Sequence, residues 1–286
     1  SFLTGAIPSK RIHYIKFITK QELLVSFEDV GVYIYHVKTQ KWKSLAPMKI
    51  RKTWLVSDVE LFSENSYILS SNEGLWLFDV KTQKLFPFLK FIGEDYGIEE
   101  FSDVYVKSTA EFYIATVNNG LISVNSSHDG YRITFSKKDI FQKNGILFNE
   151  LNELFCDGNG TIWIGTLRGL SGFNPKSDEF FGIGPAANLS LGLPSESVWG
   201  FAESKDLSKV FIATDFAISE LDRKTGLFKH YYISKSDDYN EKSIVSVHLL
   251  DKDHLLVGAN DGLYELVIKN GTGTFRKINY KGIANP

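Results

Sequence analysis

The sequence predicts an all-β fold, specifically a β-propeller, from six spaced copies of a β-run, turn, β-run pattern, their spacing, and a small residue before each turn. The clearest copies are YILSSNEGLWLFD from Tyr67, FYIATVNNGLISV from Phe112, IWIGTLRGLSGF from Ile162, VFIATDFAISEL from Val210 and LLVGANDGLYEL from Leu255. The most degenerate is LLVSFEDVGVYIYHV from Leu23. The residue opening the second run is Gly31, Gly74, Gly120, Gly169, Ala217 and Gly262, in steps of 43, 46, 49, 48 and 45 residues. That period is too long for leucine-rich or ankyrin repeats and fits one four-stranded blade.

The fourth copy, Leu151 to Ile183, shows how one repeat makes one blade. Leu151, Leu154 and Phe155 mark a first strand, and Asp157-Gly158-Asn159-Gly160 supplies a turn whose glycines tolerate positive φ. Ile162, Trp163 and Ile164 form a continuous apolar run, which suits a strand buried on both faces. Gly169 then opens a third strand, Asn174-Pro175-Lys176-Ser177 turns the chain, and Glu179, Phe180 and Phe181 begin an outer strand. The same closing syntax recurs as HVKTQKWKSL from His36, DVKTQKLFPF from Asp79 and DRKTGLFKHY from Asp222, which read as hairpins with polar tips.

Small residues recur before the inner turn at Ser26, Ser70, Ala115, Gly165, Ala213 and Gly258, where inner strands must approach closely. The 22 Phe, 13 Tyr and 5 Trp supply the bulk that fills wedges between twisted sheets. The whole chain, 1–286, reads as one propeller domain or fragment with blades at 12–45, 56–90, 100–136, 149–183, 195–233 and 243–280. Six blades within this chain is the favoured count, and the alternative is a larger array.

A formal charge of −2 argues against a general nucleic-acid binder. The single cysteine, Cys156, excludes an internal disulfide and a multi-cysteine metal site. No apolar stretch is long enough to span a membrane, and SFLTGAIPSKR lacks the basic region and long apolar core of a secretory signal. There is no Walker loop, G-x-S-x-G elbow or H-E-x-x-H helix, so no catalytic residue, metal site or cofactor is assigned. His248 and His254 form the closest interesting histidine pair, beside Asp251 and Asp253, and fit a solvated turn better than a metal centre. Asp157 and Asn159 offer oxygen ligands, but DGNG lacks the spacing and glutamate of an EF-hand.

The segment DGNGTIWIGTLRGL, from Asp157 to Leu170, closely resembles the two-component regulator propeller repeat, with weaker relatives at Ser71, Ile114, Ile212 and Val257. The resemblance covers roughly residues 12–280. It implies a periplasmic or extracytoplasmic sensor region of a bacterial hybrid two-component receptor, concerned with carbohydrate sensing. It also implies an oligosaccharide ligand, neighbouring sensor domains of a parent receptor, and a homodimer of the full-length receptor as partners. Any histidine kinase activity would belong to a separate domain of that parent. Extra residues before Gly31 and Gly120, and Ala217 in place of glycine, depart from the repeat.

Loops at equivalent blade positions share one face of a propeller, so the inner turns are the candidate ligand-binding surface. They contribute Glu28 and Asp29, Asn72 and Glu73, Asn118 and Asn119, Leu167 and Arg168, Asp215 and Phe216, and Asn260 and Asp261. Their amides, carboxylates, guanidinium and ring suit sugar hydroxyls and faces, while the same residue types also satisfy tight turns. Trp54, after Lys49, Arg51 and Lys52, reads either as packing between blades or as a ligand contact, and Trp199 reads as core. The resulting expectation is a non-enzymatic sensor or binding domain. A protein-interaction scaffold and a propeller lyase or hydrolase are the competing readings.

Overall fold

A computed structural model of the chain describes residues 11–28, 30–45, 54–89, 92, 97–98, 100–138, 145–177, 179–233 and 243–278. The described elements form six four-stranded sheets, each following chain order, in a six-bladed β-propeller. Two compact units divide the chain: residues 1–137 with 149–151, and residues 138–148 with 152–286.

In the first unit, sheet one comprises β1 (Ile12–Thr19), β2 (Glu22–Phe27), β3 (Gly31–His36) and β4 (Lys41–Ser44). Sheet two comprises β5 (Val56–Ser63), β6 (Ser66–Ser71), β7 (Trp76–Asp79) and β8 (Lys84–Pro87). Sheet three comprises β9 (Phe101–Ser108), β10 (Glu111–Thr116), β11 (Leu121–Ser127) and β12 (Gly130–Ser136). Side chains alternate between faces along each strand, so both faces of a middle sheet must be apolar for blades to stack. Ile18, Leu24, Val32 and Ile34 of sheet one bury against Val59, Leu69 and Phe78 of sheet two. One residue out of phase, Ile68 and Leu77 turn the opposite face of sheet two onto Val104, Phe112 and Ile114 of sheet three.

The second unit repeats the arrangement. Sheet four comprises β13 (Leu151–Cys156), β14 (Ile162–Thr166), β15 (Gly169–Asn174) and β16 (Glu179–Ile183). Sheet five comprises β17 (Val198–Glu203), β18 (Lys209–Thr214), β19 (Ala217–Asp222) and β20 (Phe228–Tyr232). Sheet six comprises β21 (Ile244–Leu249), β22 (His254–Ala259), β23 (Gly262–Lys269) and β24 (Thr272–Lys277). Every residue of β14 is buried, as its unbroken apolar run requires. Trp163 packs with Val198, Val210 and Ile212, while Phe211 and Tyr231 pack with Leu255, Val257 and Tyr264.

The small residues before the inner turns do pack closely. A Cβ at Gly165 would lie 3.0 Å from both Val198 Cγ1 and the Val198 carbonyl, and one at Gly258 would lie 2.4 Å from Ser246 Oγ. Ser26 adds a directional bond, its Oγ accepting from the Val56 amide at 3.1 Å.

The closing hairpins are held by their first polar residue. Asp79 Oδ1 accepts from the Thr82 amide and hydroxyl, each at 2.7 Å, and Asp222 Oδ1 accepts from the Thr225 amide at 2.8 Å and hydroxyl at 3.0 Å. The residue after the threonine takes a positive φ: 53° at Gln40, 52° at Gln83 and 70° at Gly226.

Candidate functional site

The inner turns are built around a hydroxyl one position after the small residue. Thr116 Oγ1 donates to the Gly120 carbonyl at 2.7 Å, Thr166 Oγ1 to that of Gly169 at 2.8 Å, and Thr214 Oγ1 to that of Ala217 at 2.9 Å. Ser71 Oγ does the same to Gly74 at 2.6 Å. All four residues are fully buried. The hydroxyls of Ser71, Thr116 and Thr166 also accept an amide from within the turn. None of these residues is among the candidates named above, although a Ser or Thr at that place in four of six copies is a signal visible in the sequence. Glycine follows for a steric reason. Gly120 has φ +75° with its missing Cβ aimed 2.3 Å from the Ser136 carbonyl, and Gly169 has φ +114° with the Ile183 carbonyl at 2.8 Å. Ala217 opens β19 without a positive φ, which explains why that copy can depart from glycine.

In the first unit, Asn72 is engaged at both ends. Its Oδ1 accepts from the Leu55 amide at 2.8 Å, and its own amide donates to the Leu55 carbonyl at 3.2 Å. Glu73 is half-buried beside it. Glu28 is exposed, with its amide on the Arg11 carbonyl at 2.9 Å, and Asp29 lies outside the described residues. Asn119 Oδ1 accepts from Lys137 Nζ at 3.0 Å, whereas Asn118 is exposed. These two asparagines share a cleft of about 230 Å³ with Gly97, Ile98, Glu100 and Val117.

Trp54 is only 2% exposed and lies edge-on to Trp76, with ring centroids 5.8 Å apart. It packs among the buried residues of sheets one and two, so its ring offers no face to a ligand in this arrangement. Lys49, Arg51 and Lys52 lie outside the described residues.

In the second unit, Arg168 is exposed and its guanidinium stands 4.8 Å from the centre of the Phe148 ring, a cation–π distance. Asp215 Oδ1 accepts from Trp199 Nε1 at 2.9 Å, and the half-buried Phe216 accepts the Ile233 amide through its carbonyl. Asn260 is exposed. Asp261 accepts from Tyr264 OH at 2.7 Å and Lys277 Nζ at 3.1 Å. Burial, then this hydrogen bond and charge, push the Tyr264 hydroxyl up to about 12. Thus Asn72, Asn119, Asp215 and Asp261 help hold their turns, while Glu28, Asn118, Arg168 and Asn260 present the exposed polar groups.

The DGNG turn is a structural centre. Asp157 Oδ1 accepts from the amides of Asn159 and Thr161, both at 2.9 Å, and Oδ2 accepts from Trp163 Nε1 and Arg223 Nη2, both at 2.7 Å. Arg223 also bridges to Glu203 at 2.6 Å, and Glu203 accepts the Gly158 amide. The Asp157 carboxylate is therefore supplied with donors by protein alone. Among the described residues, no three His, Cys, Asp or Glu side chains form a metal-holding group. His254 Nδ1 lies 3.1 Å from Glu265 and 3.9 Å from Asp251, while His248 is exposed.

No protein-family model and no curated protein matches this sequence. Solved structures do match the fold, which defines the chain as a β-propeller. Two are extracellular domains described as belonging to hybrid two-component systems from B. thetaiotaomicron. One has a TM-score of 0.72 at 15% identity, covering 98% of this chain and 35% of its own. The other has a TM-score of 0.70 at 18% identity, covering 92% and 34%. The β-propeller domain of Cps50 (Swd1) from Myceliophteria thermophila is also similar, with a TM-score of 0.65, 13% identity and coverages of 98% and 90%. The chain thus spans about a third of the length of the two bacterial structures. Among the described residues, no helix is long and apolar enough to cross a membrane.

Proposed function

We propose that this chain is a non-enzymatic ligand-sensing domain, acting outside the cytoplasm as part of a hybrid two-component receptor and recognising an oligosaccharide. The observation that carries this reading is the cleft lined by Asn118, Asn119 and Glu100, of which Asn118 and Glu100 are exposed. Amides donate and accept at once, so they match sugar hydroxyls, while a carboxylate accepts from them. The fold shared with extracellular domains of bacterial receptors supports the setting. Binding would signal only if the receptor's two states differ in affinity for the ligand.

The test is thermal stabilisation of the purified chain across oligosaccharides and metals, with chelator present and products analysed. A saturable shift without product, lost in Asn118→Ala, supports the reading. Absence of any shift overturns direct saccharide recognition and favours a protein-interaction scaffold, for which exposed Arg168 over Phe148 is the best anchor. Product formation would instead establish a lyase or hydrolase.

A further inference from the structure

The second unit holds another cleft, of about 230 Å³, at the ends of β18 and β22 away from their inner turns. Its apolar lining is the half-buried Ile268 together with the small exposed part of Phe211, whose side chain otherwise lies in the core. Its wall is the Glu220 carboxylate, held by Tyr231 OH at 2.7 Å and by Lys209, so that this charge is already satisfied. The mouth lies between the turn carrying Lys205 and Asp206 and the turn carrying Lys252 and Asp253.

Both turns are fixed. The Ser204 amide donates to the Lys209 carbonyl at 3.0 Å, and Arg223 Nη1 donates to the Leu207 carbonyl at 2.6 Å. On the other side, the Leu250 amide donates to the His254 carbonyl at 3.0 Å, and the Ile268 amide to that of Asp253 at 2.8 Å. The backbone at the mouth is therefore ordered before a ligand arrives, and the ordering cost of binding falls on the exposed side chains.

The charges at the mouth are of both signs. Lys205 and Lys252 are exposed and make no hydrogen bond or ion pair among the described residues. Asp206 uses one oxygen, Oδ1, for Ser204 Oγ at 2.7 Å and for the Ser208 amide and hydroxyl at 3.2 and 2.7 Å, leaving Oδ2 available. A purely anionic ligand would meet Asp206 and Asp253, and a purely cationic one would meet the lysines. The volume is below the ~300–1,000 Å³ usual for drug-sized ligands, so the ligand is small.

We propose that this cleft binds a small zwitterion with an apolar side group, namely an apolar α-amino acid. The side group lies on Ile268 and the exposed edge of Phe211, the carboxylate meets Lys205 and Lys252, and the ammonium meets Asp206 and Asp253. This site is independent of the saccharide reading and sits at the other end of the strands from the inner turns.

Calorimetric titration of the full chain with L-leucine and L-phenylalanine tests it. Lys252 and Asp253 are exposed on a turn held by backbone bonds, so Lys252→Ala and Asp253→Asn keep the fold. Saturable binding is expected, weakened about 2- to 5-fold by either substitution. N-acetyl-leucine and leucinamide, each lacking one charge, should bind at least ~10-fold more weakly than leucine itself. Failure of both amino acids to saturate, or equal binding by wild type and both variants, would overturn the proposal. Preferential binding of a neutral disaccharide would overturn the ligand class.

Discussion

At Thr166 a single hydroxyl donates to the Gly169 carbonyl and accepts from the Arg168 amide, in a place closed to water. Thr166→Val keeps the shape and leaves both backbone groups unpaired, so it should lower unfolding free energy by about 1–3 kcal/mol in urea titration, whereas Thr166→Ser keeps both bonds and loses only the ~0.8 kcal/mol of its buried methyl. Arg223 is a larger case. Its side chain is 15% exposed and faces carboxylates of Asp157 and Glu203 that are 2% and 14% exposed. Removing the guanidinium in Arg223→Ala strands two largely buried negative charges, and breaking such a pair costs about 3–5 kcal/mol. Replacing Asp157 by Asn in the same background should recover part of that loss, because it removes one of the stranded charges. A merely packing role for Arg223 would show no such recovery.

Hairpins and connecting segments differ in how well local sequence specifies them. The closing turn with Asp79 or Asp222 was legible because both its capping carboxylate and its threonine lie within four residues. Its left-handed position was not, since glycine marks it only at Gly226. Gln40 is exposed and takes φ 53° there, so Gln40→Gly should relieve strain of about 1 kcal/mol, partly offset by the greater unfolded freedom of glycine, for a net gain of a few tenths of a kcal/mol by chemical denaturation. The segment between β16 and β17 is tied down by a histidine. His230 Nε2 lies 2.7 Å from the Leu189 carbonyl and Nδ1 lies 2.9 Å from Ser219 Oγ, an arrangement that fits the neutral ring with Nε2–H donating. Burial lowers its pKa below the ordinary 6.5, only partly countered by its bonds to backbone. The unfolded chain therefore binds the extra proton first. Stability from His230 is complete above pH ~6.5 and declines as pH falls toward the lower folded value. Melting curves between pH 7 and 5 should show that decline, and His230→Asn should reduce it, leaving the share of His13, whose pKa burial also lowers.

At the scale of the whole molecule, a recurring pattern specifies six sheets, whereas contacts between distant residues specify the site. The spaced copies of a β-run, turn, β-run pattern, with a small residue before each turn, were enough for blades, because each blade is a local meander. Arg223 lies 66 residues from Asp157, and no spacing rule links an outer hairpin of one blade to a first turn of another. Trp54 was ambiguous for a related reason: it stands between repeats, and only the packing of sheets one and two decides that it is buried. Equivalent turn positions likewise do not share one chemical environment, since Asn72 is bonded to Leu55 while Asn118 and Asn260 are exposed. This difference makes the ligand test local. At a hundred times its dissociation constant, a saccharide binding only the folded state adds about 2.7 kcal/mol of stability. If it occupies the cleft at Asn118, amide hydrogen exchange should slow in the described residues around Ile98, Glu100 and Val117 to Asn119, and not at the Ser204 to Ser208 turn of the other unit. Protection at Asn260 and Arg168 alone would move the saccharide to the second unit's inner turns. Protection confined to Lys205, Asp206, Lys252 and Asp253 would instead place the bound molecule in the zwitterion cleft, separating the two binding readings within one experiment.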